Sequence, residues 1–146
     1  MGILYAKNNG DILSLVYMKP IHQSYHIKAR IEKVWQALTV PKDIEAWGGG
    51  PAKMSAKVGS KFSLWGGDIW GENVEVVKNK RLVQEWMSGE WAKPSIVTFT
   101  LNKEKAGTQL VLHHTGVPKD ELKDIDDGWR DYYLGPLKEY VENDMQ

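Results

Sequence analysis

The sequence contains no cysteine, which excludes disulfides, thiol nucleophiles and cysteine-ligated zinc together. It has no excess of charge either: 19 Lys and Arg balance 19 Asp and Glu, leaving no net field to draw in nucleic acid or an anionic membrane surface. No apolar run approaches the roughly 18 residues that a membrane-spanning helix needs. The first residues, Met1 to Lys7, lack the basic and long apolar regions of a secretory signal, and Ala6 stands where a myristoyl acceptor pattern wants Ser or Thr. A cytoplasmic protein is therefore expected, with neither nucleic acid nor membrane among its partners. Phenylalanine is scarce, at 2, but the chain carries 7 Trp and 6 Tyr in 146 residues, the length of a single domain with its own core.

The residue patterns exclude several chemistries. His22 and His26 share a strand face but sit about 13 Å apart, and neighbouring His113 and His114 face opposite ways, so neither pair chelates one ion; no metal and no other cofactor is expected. Gly48-Gly49-Gly50-Pro51 and the glycines of 66 to 71 lack the Gly-Lys-Ser/Thr continuation of a phosphate loop and read as turn and bulge positions. No Gly-x-Ser-x-Gly elbow is present. Glu72, Glu75, Glu85 and Glu90 would gain a raised pKa inside an aromatic pocket, but strand glutamates usually occupy the wet face, and no catalytic residue is assigned.

Along the chain, Asn9-Gly10 between two apolar stretches predicts an N-terminal hairpin before Lys19. Alternation over Ile21, Gln23, Tyr25 and Ile27 predicts a strand. Ile31, Val34, Trp35 and Leu38 form a helical stripe ending before Pro41, and Ile44 with Trp47 forms a second short helix stopped by Gly48. Strands are then expected at Lys61 to Trp65, Ile69 to Val77, Leu82 to Met87, Ser95 to Leu101 and Thr108 to Thr115. A closing helix begins between Lys119 and Asp127, with Leu122, Ile125, Trp129, Tyr133, Leu137 and Val141 as a continuous apolar stripe. Pro136 inside it predicts a kink near Tyr132. The fold class is α+β, one long helix packed on the dry face of a curved antiparallel meander.

That order of elements, with Val34-Trp35-Gln36-Ala37-Leu38-Thr39, Val97-Thr98-Phe99-Thr100-Leu101, its partner Thr108 to Thr115, and Gly128-Trp129-Arg130-Asp131-Tyr132-Tyr133, resembles the START-like (Bet v 1-like, SRPBCC) superfamily. Within it, the sequence looks most like the Hsp90 ATPase activator homologue (AHSA1-like) family. The likeness covers about residues 21 to 142 of a single domain spanning 1–146. It implies a helix-grip fold around an internal cavity, used in different branches for lipids, polyketides or chaperone binding, and no common reaction. The eukaryotic activator's separate N-terminal domain, with its Asn-Trp-His-Trp type motif, has no counterpart in this sequence.

The leading expectation is a non-enzymatic protein binding a small hydrophobic or amphipathic ligand in a cavity lined by Trp47, Trp65, Trp70, Trp86, Phe99, Leu112, His114, Trp129 and Tyr133. Each ring also suits plain core packing, Trp35 above all, and His114 on a dry face needs a hydrogen-bond partner, most simply a backbone group. The alternatives are an Hsp90-like chaperone as partner and a cyclase or hydrolase of polyketide-like substrates; the N-terminal hairpin is expected either to extend the sheet or to support self-association as a homodimer.

Overall fold

The computed structural model describes residues 20–143; the expected N-terminal hairpin lies outside them. The chain runs β1 (Ile21–Ile27), α1 (Ile31–Thr39), α2 (Pro41–Trp47), β2 (Lys61–Leu64), β3 (Ile69–Val77), β4 (Arg81–Ser88), β5 (Ser95–Glu104) and β6 (Gly107–Thr115). A helical segment closes it: α3 (Leu122–Gly128), a π-helical stretch (Trp129–Leu134) and α4 (Gly135–Asn143). All strands are antiparallel in one curved sheet of order β1-β6-β5-β4-β3-β2. This is the α+β helix-grip arrangement that the sequence pattern predicts.

The local reasons are legible. Val34, Trp35 and Leu38 are buried along α1 at helical spacing. Pro41 opens α2, where its missing N–H costs nothing, and Gly48 closes it in the left-handed region at φ 113°. Indole Nε1 of Trp47 donates to the Ala37 carbonyl at 2.9 Å, fastening α2 to α1. On β5 as far as Leu101, and along β6, the alternation holds: Val97, Phe99, Leu101, Leu110, Leu112 and His114 face the helix, while Ile96 and His113 face water. These two strands run further than expected, because Glu104 pairs with Gly107 and only Lys105 and Ala106 turn the chain.

Two departures matter for the site. The strand ends at Leu64 instead of Trp65, whose backbone takes φ 50°, a conformation that bulky side chains rarely adopt. Its N–H donates to the Gly49 carbonyl and its indole to the Gly48 carbonyl, both at 2.8 Å, and these bonds hold the turn. In the closing helix the irregularity expected from Pro136 takes the form of a π turn. Gly135 N–H bonds back to Arg130 O, five residues earlier, and a Cβ on Gly135 would lie 2.3 Å from that oxygen. The wide turn also keeps the stripe in phase. Trp129, Tyr133, Leu137 and Val141 recur every four residues, a step that overshoots a 3.6-residue turn by about 40° each time.

Candidate functional site: an aromatic pocket under the closing helix

Between the concave face of the sheet and the closing helix lies a cluster of rings with Tyr133 at its centre. Its ring stands 4.7 Å from both Trp47 and Trp129, 5.7 Å from Phe99, and 6.1 Å from both Trp65 and Trp86, centroid to centroid. Trp86 of β4 and Trp129 of the helix stack at 4.7 Å with planes 27° apart. Such offset pairs add about 0.5–1.5 kcal/mol beyond the area they bury.

A chain of hydrogen bonds fixes this stack. Trp129 Nε1 donates to His114 Nδ1 at 2.9 Å, and an indole nitrogen can only donate, so the imidazole proton resides on Nε2. Nε2 donates to Ser95 Oγ at 2.8 Å, and Ser95 Oγ donates to the Trp86 carbonyl at 3.3 Å. His114 is fully buried. Burial, with the charge of adjacent His113 as the lesser cause, lowers its pKa from 6.5 to about 3. The imidazole therefore stays neutral with both nitrogens engaged, and its lone pair is already taken by Trp129. Ser95 and His114 form a structural clip, not a nucleophile and its base.

A second buried relay supports the other wall. Trp86 Nε1 donates to Gln84 Oε1, and Gln84 Nε2 donates to Asn73 Oδ1, each at 2.9 Å. Asn73 Nδ2 in turn donates to the carbonyls of Ser55 and Lys57, which ties the loop before β2 to the sheet. The consequence is chemical. The indole N–H groups of Trp65, Trp86 and Trp129 are all satisfied inside the protein, so these rings present carbon to the space beside them.

That space is a pocket of about 350 Å³, open to the surface. Trp65, Ile69 and Trp86 form its sheet side; Ile125, Gly128, Trp129, Tyr132 and Tyr133 form its helix side; exposed Asp68 and Asp124 complete the lining. It exists because α3 stands off the sheet. None of the residues Leu122–Gly128 is buried, and Leu122 and Ile125 are only half-buried, which corrects the expectation of a continuously buried stripe. The large stacked rings hold the backbone away there. Polar tethers fasten it instead: Gln23 Nε2 donates to Asp126 O and Oδ1 at 2.9 and 2.7 Å, and Trp91 Nε1 donates to Glu121 Oε2 at 3.0 Å.

Of the nine residues expected to line a cavity, the structure brings Trp65, Trp86, Trp129 and Tyr133 to the pocket wall. Trp47, Phe99, Leu112 and His114 are buried in the core outside its lining. Trp70 belongs elsewhere: paired with Met87, it is 39% exposed on the opposite face of the sheet, because its neighbours Ile69 and Gly71 point inward and adjacent strand residues alternate. His114 bonds two side chains instead of a backbone group. The residues that sequence reasoning missed are Ile69, Ile125, Gly128 and Tyr132 in the wall, with Gln84, Asn73 and Ser95 behind it. Ile125, Gly128 and Tyr132 were recoverable, since steps of three and four residues place them on one helix face. The strand glutamates Glu72, Glu75 and Glu85 lie off the concave face, as expected. Among the described residues no group of three or more metal-ligating side chains is gathered, and no helix is long and apolar enough to cross a membrane.

Comparison with known proteins agrees with this architecture. Human activator of 90 kDa heat shock protein ATPase homolog 1 is 27% identical over 110 residues, covering 74% of this chain and 32% of its own length. The chain thus spans about a third of that relative. The crystal structure of an HSP90 activator from Plasmodium falciparum superposes with a TM-score of 0.74 at 26% identity, covering 80% of this chain and 91% of the other. A protein of the dynemicin biosynthetic locus shares the fold, with a TM-score of 0.75 at 24% identity over 86% of this chain and 48% of its own. The family model described as activator of Hsp90 ATPase homolog 1-like protein matches residues 28–142, and the chain belongs to that family.

Proposed function

We propose that this protein binds a small apolar or amphipathic molecule in the pocket between α3 and the sheet, without chemically transforming it. The observation that carries this reading is the carbon-faced wall: three tryptophans whose N–H groups are satisfied elsewhere enclose a space of about 350 Å³ that reaches solvent. A preformed apolar pocket with few polar groups is the usual form of a small-molecule site. The strained backbone at Trp65 lies in the same wall, where such strain often accompanies function. Trp65, Trp86 and Trp129 are built-in reporters. Titration with lipids and aromatic compounds should perturb their fluorescence, and the reading fails if no compound does so and native mass spectrometry finds no co-purifying molecule.

Family membership favours a second reading, association with an Hsp90-type chaperone, since the relatives are named for activating its ATPase. A pull-down from native lysate together with a chaperone ATPase assay tests it. Absence of the chaperone from the pull-down and an unchanged rate at saturating protein would reject it. Light scattering in dilute solution decides whether a second copy of the chain is also a partner.

A further inference from the structure

Gly128 has no internal reason to be glycine. It is helical, at φ −62° and ψ −36°, and a Cβ built on it would meet nothing nearer than Tyr132 Cδ2 at 4.0 Å. Every other glycine among the described residues either takes positive φ or would drive a Cβ within 3.0 Å of a neighbour. Glycine within a helix is less stable than alanine, so the missing methyl is a standing cost to the fold. Gly128 lies in the pocket wall with Ile125 three residues before it and Tyr132 four after, at the middle of the helix face that lines the space. A methyl group there would project into the pocket and, its chain neighbours aside, meet no side chain nearer than Tyr132.

We propose that Gly128 is a specificity-determining position, its bare backbone being the seat of a flat aromatic ligand that carries a protonated amine. This rests on the ligand-binding reading above and adds the ligand's shape and charge. Flatness follows from the seat: a planar ring can lie against uncovered helix backbone with its edge toward the Trp86 and Trp129 stack. Charge follows from the lining. Asp68 and Asp124, both exposed, belong to it, it contains no Lys, Arg or His, and neither carboxylate has an ion-pair partner within 4.0 Å among the described residues. Tyr132, 69% exposed, and half-buried Trp65 add ring faces that attract a cation.

The test uses the full chain and three probes: 1-naphthylmethylamine, 1-naphthoate with the same ring and opposite charge, and decylamine with the same charge and no ring. Gly128→Ala should raise the melting temperature by roughly 2–4 °C. It should weaken 1-naphthylmethylamine binding about tenfold or more, and decylamine binding much less. In the wild type, 1-naphthoate should bind about tenfold more weakly than the amine. A Gly128→Ala protein that melts lower, or that binds 1-naphthylmethylamine as tightly as wild type, overturns the seat. Naphthoate binding as tight as the amine overturns the charge assignment. If the wild type binds other apolar compounds but none of these three, this inference falls alone; if it binds nothing at all, the ligand-binding reading falls with it.

Discussion

Trp129 and Leu137 lie on the same face of the closing helix and are both buried, at 2% and 0% exposure, yet the two halves they belong to are held in different ways. Around Leu137, α4 packs directly against α1, α2 and β1, with Val141 buried beside it. Tyr140 Oη donates to Asp43 Oδ1 at 2.5 Å, and Glu142 Oε2 accepts from Lys138 Nζ at 2.6 Å and from the Lys28 backbone N–H at 2.9 Å. Upstream of Trp129, α3 has no fully buried residue, and polar bonds tether it to β1 and, through Glu121 just before it, to Trp91. One half is a plug and the other a roof. The boundary between them is the π turn, which Gly135 permits and which carries both Trp129 and Tyr133 inward.

The largest expected effect breaks roof and wall together. Trp129→Ala removes a stacked ring and the donor to His114, and should cost about 3–5 kcal/mol in chemical denaturation while abolishing the fluorescence response to ligands. A variant with near-native stability would show that the ring is not part of the core. Leu137→Ala should cost about 2–5 kcal/mol and leave the pocket's affinity unchanged in the surviving folded fraction. If it weakens ligand binding as much as a wall substitution does, the two halves are not separate and the comparison fails.

A proton distinguishes the halves next. The folded-state pKa of His114 is depressed to about 3 against an ordinary 6.5, so below pH 6.5 the unfolded chain takes up a proton that the folded chain refuses. This contribution is fully present above pH 6.5 and is lost as pH falls toward 3, at up to about 1.4 kcal/mol per pH unit. His114→Gln can still accept from Trp129 and donate to Ser95, and should melt with a shallower acid dependence than wild type. Equal slopes in the two proteins would mean that His114 does not resist protonation, and the clip on the roof would lose its chemical basis.

Much of this was legible in the sequence, and the limits have physical causes. Strand alternation placed Phe99, Leu112 and His114 on the inner face correctly, because a period of two leaves no choice once the strand is found. The same rule shows that Ile69 and Trp70 cannot both face inward, and reading tryptophan as cavity lining for its size alone set that constraint aside. Whether a buried ring fills a core or walls a pocket depends on the distance between helix and sheet, which no periodicity encodes: Trp47 and Trp129 have the same sequence signature and different roles. Gly128 was visible as a glycine in a helical pattern, but its lack of a steric reason emerges only when a Cβ can be placed among its neighbours.

The smallest expected effect has an unusual sign. The Tyr133 hydroxyl is buried with no hydrogen-bond partner among the described residues, and burial raises its pKa, so the neutral phenol is held in an apolar setting at an energetic cost. An unsatisfied buried hydroxyl typically costs about 1–3 kcal/mol, whereas the ring itself is kept in Tyr133→Phe. The phenylalanine variant of the free protein should therefore be as stable as wild type, or more stable by about 1 kcal/mol, in denaturant titration. Its affinity for a ligand bearing a hydrogen-bonding group should nonetheless fall, because Tyr133 is the wall residue whose buried polar atom is left without a partner among the described residues. Stability and binding then move in opposite directions, which no residue of the plug would show. A variant that melts clearly lower instead would mean that the hydroxyl is satisfied in solution, and Tyr133 would belong with Leu137 among residues that only fill the core.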